Sequence, residues 1–193
     1  MPRWLATIGI VAVLLAASAW VIGQQFGSSP HAAKGSAGTP AGFTRFKDPA
    51  GAFEGAYPTS WRRLQTTSSQ DILLATGPDG ASYLVRTTPI GAVVTSANLA
   101  AAKLLTQRIV KSAKDVKYLH TPEAVTLDGL PGYLYLYTFL DPSSGQEGAH
   151  ALYFLFDAKT MISLVFQSLP STGFLAEAPL FDRIAATFHV LPG

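Results

Sequence analysis

Leu130 to Ser168 reads LPGYLYLYTFL (130–140), DPSSGQEG (141–148), AHALYFLFDA (149–158), KT (159–160) and MISLVFQS (161–168). Three runs rich in Tyr, Phe, Leu and Val are separated by Asp, Pro, Gly and Ser, the pattern of consecutive strands and turns. Both connections are short, one of them a turn at Lys159-Thr160. That predicts an antiparallel meander, because a parallel crossover needs a dozen residues or more. Alternation does not separate apolar from polar. Tyr133, Tyr135, Tyr137 and Phe139 share one face, and Leu134, Leu136 and Leu140 the other. A strand apolar on both faces must be covered on both, so the rest of the chain has to supply two covers, and helices are the expected ones.

The 193 residues are 48% hydrophobic, and part of that excess lies in one N-terminal block. Net charge is +2. Arg3 and Lys34 lie outside residues 43–193, which hold 12 cations and 12 anions. A near-neutral domain gives no electrostatic ground for a nucleic-acid partner. The absence of cysteine excludes disulfides, thiolate metal sites, cysteine nucleophiles and acylated-cysteine anchors.

Trp4 to Gly23 (WLATIGIVAVLLAASAWVIG) carries no charge over twenty residues. As a helix it would span roughly 30 Å, enough for a hydrocarbon core, with Trp4 and Trp20 near the two interfaces. Arg3 places the N-terminus inside and the remaining chain on the extracytoplasmic side. Ala17-Ser18-Ala19 also has the form of a signal-peptidase site. Residues 1–23 are therefore expected to be a retained single-pass anchor or a signal sequence cleaved after Ala19, and either one exports the domain. Residues 24–42, rich in Gly, Ser, Ala and Pro, read as a flexible linker. The folded domain is expected over residues 43–193.

Within it, FTRFK and AFEGAY give two short strands, followed by Trp61 at a turn. Residues 71–76 and 81–88 flank Gly77-Pro78-Asp79-Gly80 and predict a hairpin. Ala97 to about Ala113 reads as an amphipathic helix capped by Thr95 or Ser96. Its expected buried side is Leu99, Ala102, Leu105, Ile109 and Ala113, with Lys103, Gln107, Lys111 and Lys114 opposite. Residues 116–120 and 123–127 are further strands. A last helix is expected with Pro179 in its first turn and Leu180, Phe181, Ile184, Ala185 and Phe188 buried, before a short strand at 189–191. Hairpin joints without β-α-β alternation indicate an α+β domain, a central antiparallel sheet covered by helices.

Several motifs in this order resemble the PsbP/Mog1-like superfamily. Phe46, Asp48-Pro49, Gly51, Phe53, Tyr57-Pro58 and Trp61 are similar to its opening, Gly129-Leu130-Pro131-Gly132 to its middle, and Ile184 to Phe188 to its closing helix. The resemblance covers about residues 43–191. It implies an α-β-α sandwich and a non-enzymatic role in binding or assembly. Many relatives are exported actinobacterial proteins, some of them lipoproteins of the LpqN type. This chain differs from those in having no lipobox cysteine; a retained apolar helix would take the place of the lipid. The resemblance carries over no catalytic residue.

No catalytic pattern stands out in the residues themselves. There is no Gly-x-Ser-x-Gly elbow, no His-Glu-x-x-His, no EF-hand spacing and no phosphate loop. His120, His150 and His189 are isolated, and read most simply as structural or surface residues. No metal or cofactor is expected. Two groups of binding residues are. Tyr133, Tyr135 and Tyr137, with Trp61, can line an apolar ligand site; the simpler reading is that they pack a core under a helix. Lys103, Arg108, Lys111, Lys114 and Lys117 stand against Asp115 alone, and can meet an anionic partner such as lipid headgroups, or be a solvated helix face. The expected function is a membrane-tethered, extracytoplasmic, non-enzymatic binding module of the bacterial cell envelope, acting on an envelope or membrane protein. The alternative is a carrier or sensor of an apolar or amphiphilic envelope ligand, and a third reading is an envelope hydrolase.

Overall fold

The computed structural model describes residues 39–192. The expected anchor at 4–23 and nearly all of the linker lie outside these residues. Among the described residues no helix is long and apolar enough to cross a membrane.

The elements run β1 (Phe43–Lys47), β2 (Phe53–Pro58), β3 (Arg62–Arg63), β4 (Asp71–Thr76), β5 (Ser82–Val94), α1 (Leu99–Lys111), β6 (Lys117–Tyr118), β7 (Glu123–Leu127), β8 (Leu130–Leu140), β9 (Glu147–Ser168), α2 (Phe174–Ala185) and β10 (His189–Val190). The large sheet has the order β3-β4-β5-β9-β8-β6, with β7 also paired to β8. A second sheet, β1-β2-β10, joins the start of the domain to its end. Every strand pair is antiparallel. The α+β class with a helix-covered antiparallel sheet is therefore present, but divided between two sheets rather than gathered into one.

The stretch from Leu130 to Ser168 is the centre of the large sheet. β9 is extended backbone over 22 residues, yet it does not run straight. His150 and Gln167 meet at 2.9 Å, whereas seventeen residues of straight strand would separate them by about 55 Å. The Tyr153 and Phe166 rings also meet, at 6.2 Å. β9 is thus a ribbon folded back on itself, with Ala158 in the left-handed region (φ 48) at the bend. Its first arm pairs with β8 (Tyr137 opposite His150) and its second with β5 (Tyr83 opposite Phe166). This is the expected three-strand meander, turned one residue before the predicted Lys159-Thr160.

Each face of the sheet has its own core. On one, Leu134, Leu136, Leu155, Leu164 and Phe166 pack with Phe174, Phe181, Ile184 and Ala185 of α2 and with Phe46, Phe53 and Tyr57 of the small sheet. On the other, Tyr133, Tyr135, Tyr137, Phe139, Phe154 and Phe156 pack with Ala102 and Val110 of α1. The two-sided apolarity of β8 is answered by one helix on each side.

Both helices depart from their sequence reading. α1 buries Ala102, Thr106 and Val110, spaced four apart, while Leu105 and Ile109 are 38% and 37% exposed and Leu104 is 64% exposed. The aromatic face of the sheet already fills the volume, so the helix turns a small residue and a hydroxyl toward it. α2 begins five residues ahead of Pro179, which lies inside the helix. Phe174, Ala178, Phe181 and Ala185 form one buried stripe, and that stripe carries the helix past the N–H that Pro179 lacks.

Candidate functional site

The tyrosine row lies wholly under α1, and all three hydroxyls are engaged. Tyr133 donates to the Leu99 carbonyl at 3.2 Å. Thr106 Oγ1 donates to the Lys103 carbonyl at 3.0 Å, leaving its oxygen to accept from the Tyr135 hydroxyl at 2.7 Å. Tyr137 reaches His150 Nδ1 at 2.8 Å, and His150 Nε2 reaches the Gln167 side-chain oxygen at 2.9 Å. Burial holds the His150 pKa down to about 4, against the opposing effect of its hydrogen bond to the Gln167 oxygen. The ring is therefore neutral at pH 7, with Nε2–H donating to Gln167 and Nδ1 accepting from Tyr137. Burial raises the pKa of Tyr137, so its hydroxyl stays protonated as that donor. Tyr133 and Tyr135 fasten the helix to the sheet, Tyr137 ties β8 to β9, and the oxygens that would greet a ligand are occupied.

Trp61 is buried in the α2-side core, against Gly77. A Cβ at Gly77 would stand 2.5 Å from the indole. The chain thus provides a flat space for the ring at the mouth of the β4–β5 hairpin.

The other two domain histidines lie at the surface beside carboxylates. His120 Nδ1 is 2.9 Å from Glu123, and His189 Nδ1 is 2.7 Å from Asp128. Asp128 also accepts the Val190 N–H at 2.6 Å, so this pair closes β10 onto the β7–β8 turn. Among the described residues no histidine joins a carboxylate to a hydroxyl: His120 has Glu123 and the Thr121 carbonyl, His189 has Asp128, and His150 has the hydroxyl without an acid. Among the described residues no three His, Asp or Glu side chains gather as metal ligands.

The cations predicted as an anionic-partner surface are on the solvent side. Arg108, Lys111, Lys114 and Lys117 are exposed and Lys103 is half-buried, its Nζ 6.0 Å from the Tyr133 ring centroid. None of the five has a carboxylate at salt-bridge distance among the described residues.

Two features had no signal in the sequence. One is an open groove of about 420 Å³ lined by Arg63, Gln65, Thr66, Asp71 and Ile72 among others; the Arg86–Asp71 ion pair at 2.6 Å lies at its edge. The loop residues 64–70 carry no motif that marks it. The other is a pair of acids at the turn Ser171–Gly173. Glu147 accepts from Ser171 at 3.0 Å, yet Glu147 Oε2 and Glu177 Oε2 are both buried without a partner. Burial, with Asp79 near, raises the Glu177 pKa against a hydrogen bond from Ser168. These residues are far apart in the chain, and only the fold brings them together.

No family profile matches the chain, and no curated protein matches it in sequence. Solved structures do. The cyanobacterial PsbP of Synechocystis aligns with a TM-score of 0.61 at 19% identity, over 82% of this chain and 99% of that one. LpqN of Mycobacterium tuberculosis, described as involved in cell envelope biogenesis, aligns with a TM-score of 0.56 at 15% identity, over 78% of this chain and 91% of that one. The Ran-binding protein Mog1p of Saccharomyces cerevisiae gives 0.50 at 12% identity, over 77% and 95%. The described domain has the fold shared by PsbP, LpqN and Mog1p, and at these identities the likeness is one of fold.

Proposed function

We propose that this chain is a membrane-tethered, extracytoplasmic binding module of a bacterial cell envelope that acts on a protein partner and catalyses no reaction. One observation carries the reading: a domain whose buried hydroxyls and imidazole are committed to its own packing comes after a twenty-residue uncharged segment and a Gly/Ser/Ala/Pro-rich stretch. Residues 1–23 serve as the anchor, residues 24–42 as the tether and residues 43–193 as the binding domain. The likeness to LpqN supports an envelope setting, and the likeness to Mog1p supports protein binding as a use of this fold. A tether raises the local concentration of the domain for partners at the same membrane.

The test is membrane fractionation combined with protease treatment of intact cells. The expected result is a membrane-bound chain whose domain is cut from outside. A soluble, protease-protected product would refute the reading.

A further inference from the structure

α1 presents to solvent a face that nothing in the described domain covers. Leu104, Leu105 and Ile109 are 64%, 38% and 37% exposed. Residues three or four apart on a helix are surface neighbours, so Arg108 touches the rows of both Leu104 and Leu105, and Lys111 continues the same side. The patch therefore interleaves aliphatic side chains with cations.

The charge distribution over the domain is uneven. Residues 99–118 carry five cations and one acid, a net of +4. The remainder of residues 43–193 carries seven cations and eleven acids, a net of −4. The near-neutral total conceals a concentration of cations in the segment that contains the exposed leucines.

We infer that the exposed face of α1 docks on an anionic lipid bilayer. Leu104, Leu105 and Ile109 enter the headgroup boundary, and Arg108, Lys111, Lys114 and Lys117 meet lipid phosphates. An interfacial helix lies in the membrane plane with apolar side chains inserted and cations against the headgroups, which is the arrangement here. The excess of cations in residues 99–118 draws this part of the domain, rather than the acid-rich remainder, toward an anionic surface. The inference deepens the membrane-module reading and rests on it for the nearness of the bilayer. α1 and α2 cover opposite faces of the large sheet, so docking through α1 leaves α2 turned outward.

The chain has no cysteine, so Leu104→Cys gives a single position for a polarity-sensitive fluorophore. Ala176→Cys, exposed on α2, is the opposite-side control. The labelled full-length chain is mixed with phosphatidylcholine vesicles, with or without phosphatidylglycerol. With phosphatidylglycerol, the probe at position 104 is expected to shift to the blue and to be quenched by spin-labelled lipid, and the probe at 176 to do neither. Arg108→Gln with Lys111→Gln should lower the ratio of immersed to free probe roughly 25-fold, about fivefold for each cation. Immersion that is equal in neutral vesicles overturns the inference. So does a position-104 probe that stays aqueous throughout, which would leave a protein as the occupant of this face. Resistance of the chain to alkaline carbonate extraction reports on the anchor separately, so a failed anchor and a failed docking face give different results.

Discussion

His150 is the group through which acid should weaken this domain. Its native pKa is about 4, while an imidazole in the unfolded chain titrates near 6.5. The unfolded state therefore takes up a proton that the native state refuses. This contribution to stability is complete above about pH 6.5, declines as pH falls, and is gone below about pH 4. The separation of the two pKa values corresponds to about 3 kcal/mol, with about 1 kcal/mol lost by pH 5.5 and between about 2 and 3 lost by pH 4.5. His150→Gln removes the titration and keeps an amide between Tyr137 and Gln167. Urea unfolding of parent and variant at several values between pH 7.5 and 4.5 isolates the effect, because every other titrating group is common to both. The parent should lose about 2 to 3 kcal/mol relative to the variant across that range. Parallel stability curves would refute the reasoning, as would an NMR titration of the imidazole with a midpoint near 6.5.

Other perturbations test the packing. Gly80 has φ +83, and a Cβ there would collide with the Leu169 carbonyl oxygen. Gly80→Ala should therefore cost at least about 2 kcal/mol and lower Tm by at least about 5 °C in a thermal melt; an unchanged Tm would show that the hairpin and Leu169 do not meet. Tyr137→Phe should cost about 1–3 kcal/mol, because it leaves His150 Nδ1 buried without a donor. Tyr133→Phe, which loses a longer and less buried bond, should cost at most about 1 kcal/mol, and equal costs in denaturant would contradict the assigned hydrogen bonds. Trp61 is the domain's only tryptophan. With Trp4 and Trp20 replaced by Phe, its emission should be blue-shifted and resist iodide, and Gly77→Ala should shift it to the red by displacing the indole.

The sheet and its two covers were legible in residues 130–168 because covering both faces of an apolar strand is a local demand with few solutions. The ordered motifs from Phe46 to Trp61 and at Ile184–Phe188 pointed to the same fold. Helical phase was harder to read. In α1, Leu105 and Ile109 are more hydrophobic than Ala102 and Thr106, so periodicity placed them inside. The aromatic face of β8 and β9 decided otherwise, through volume and through the Tyr135–Thr106 hydrogen bond, and both act across the chain. Pro179 misled for a related reason: a proline suits a first turn, but the stripe from Phe174 to Ala185 outweighs one missing hydrogen bond. The tyrosine row was visible as a row, and its hydroxyl partners were not, because Leu99, Thr106 and His150 lie 34, 29 and 13 residues away. The cationic stripe was visible too, but not the leucines that share its surface.

The ribbon at the centre of the sheet also sets a timetable for assembly. Its first arm meets β8 across a short turn, so that pairing closes a small loop and can form early. Its second arm meets β5 with Ser82 opposite Gln167, a separation that encloses α1, β6, β7 and β8. Sequence-distant strand pairing is slow because the loop must be ordered before its contacts are gained. Docking of β5 should thus be the late step, and until it occurs the second arm offers Ile162, Leu164 and Phe166 along an open edge. A chain of this kind gains from folding at low local concentration, with the hairpin of β4 and β5 arriving to seal that edge.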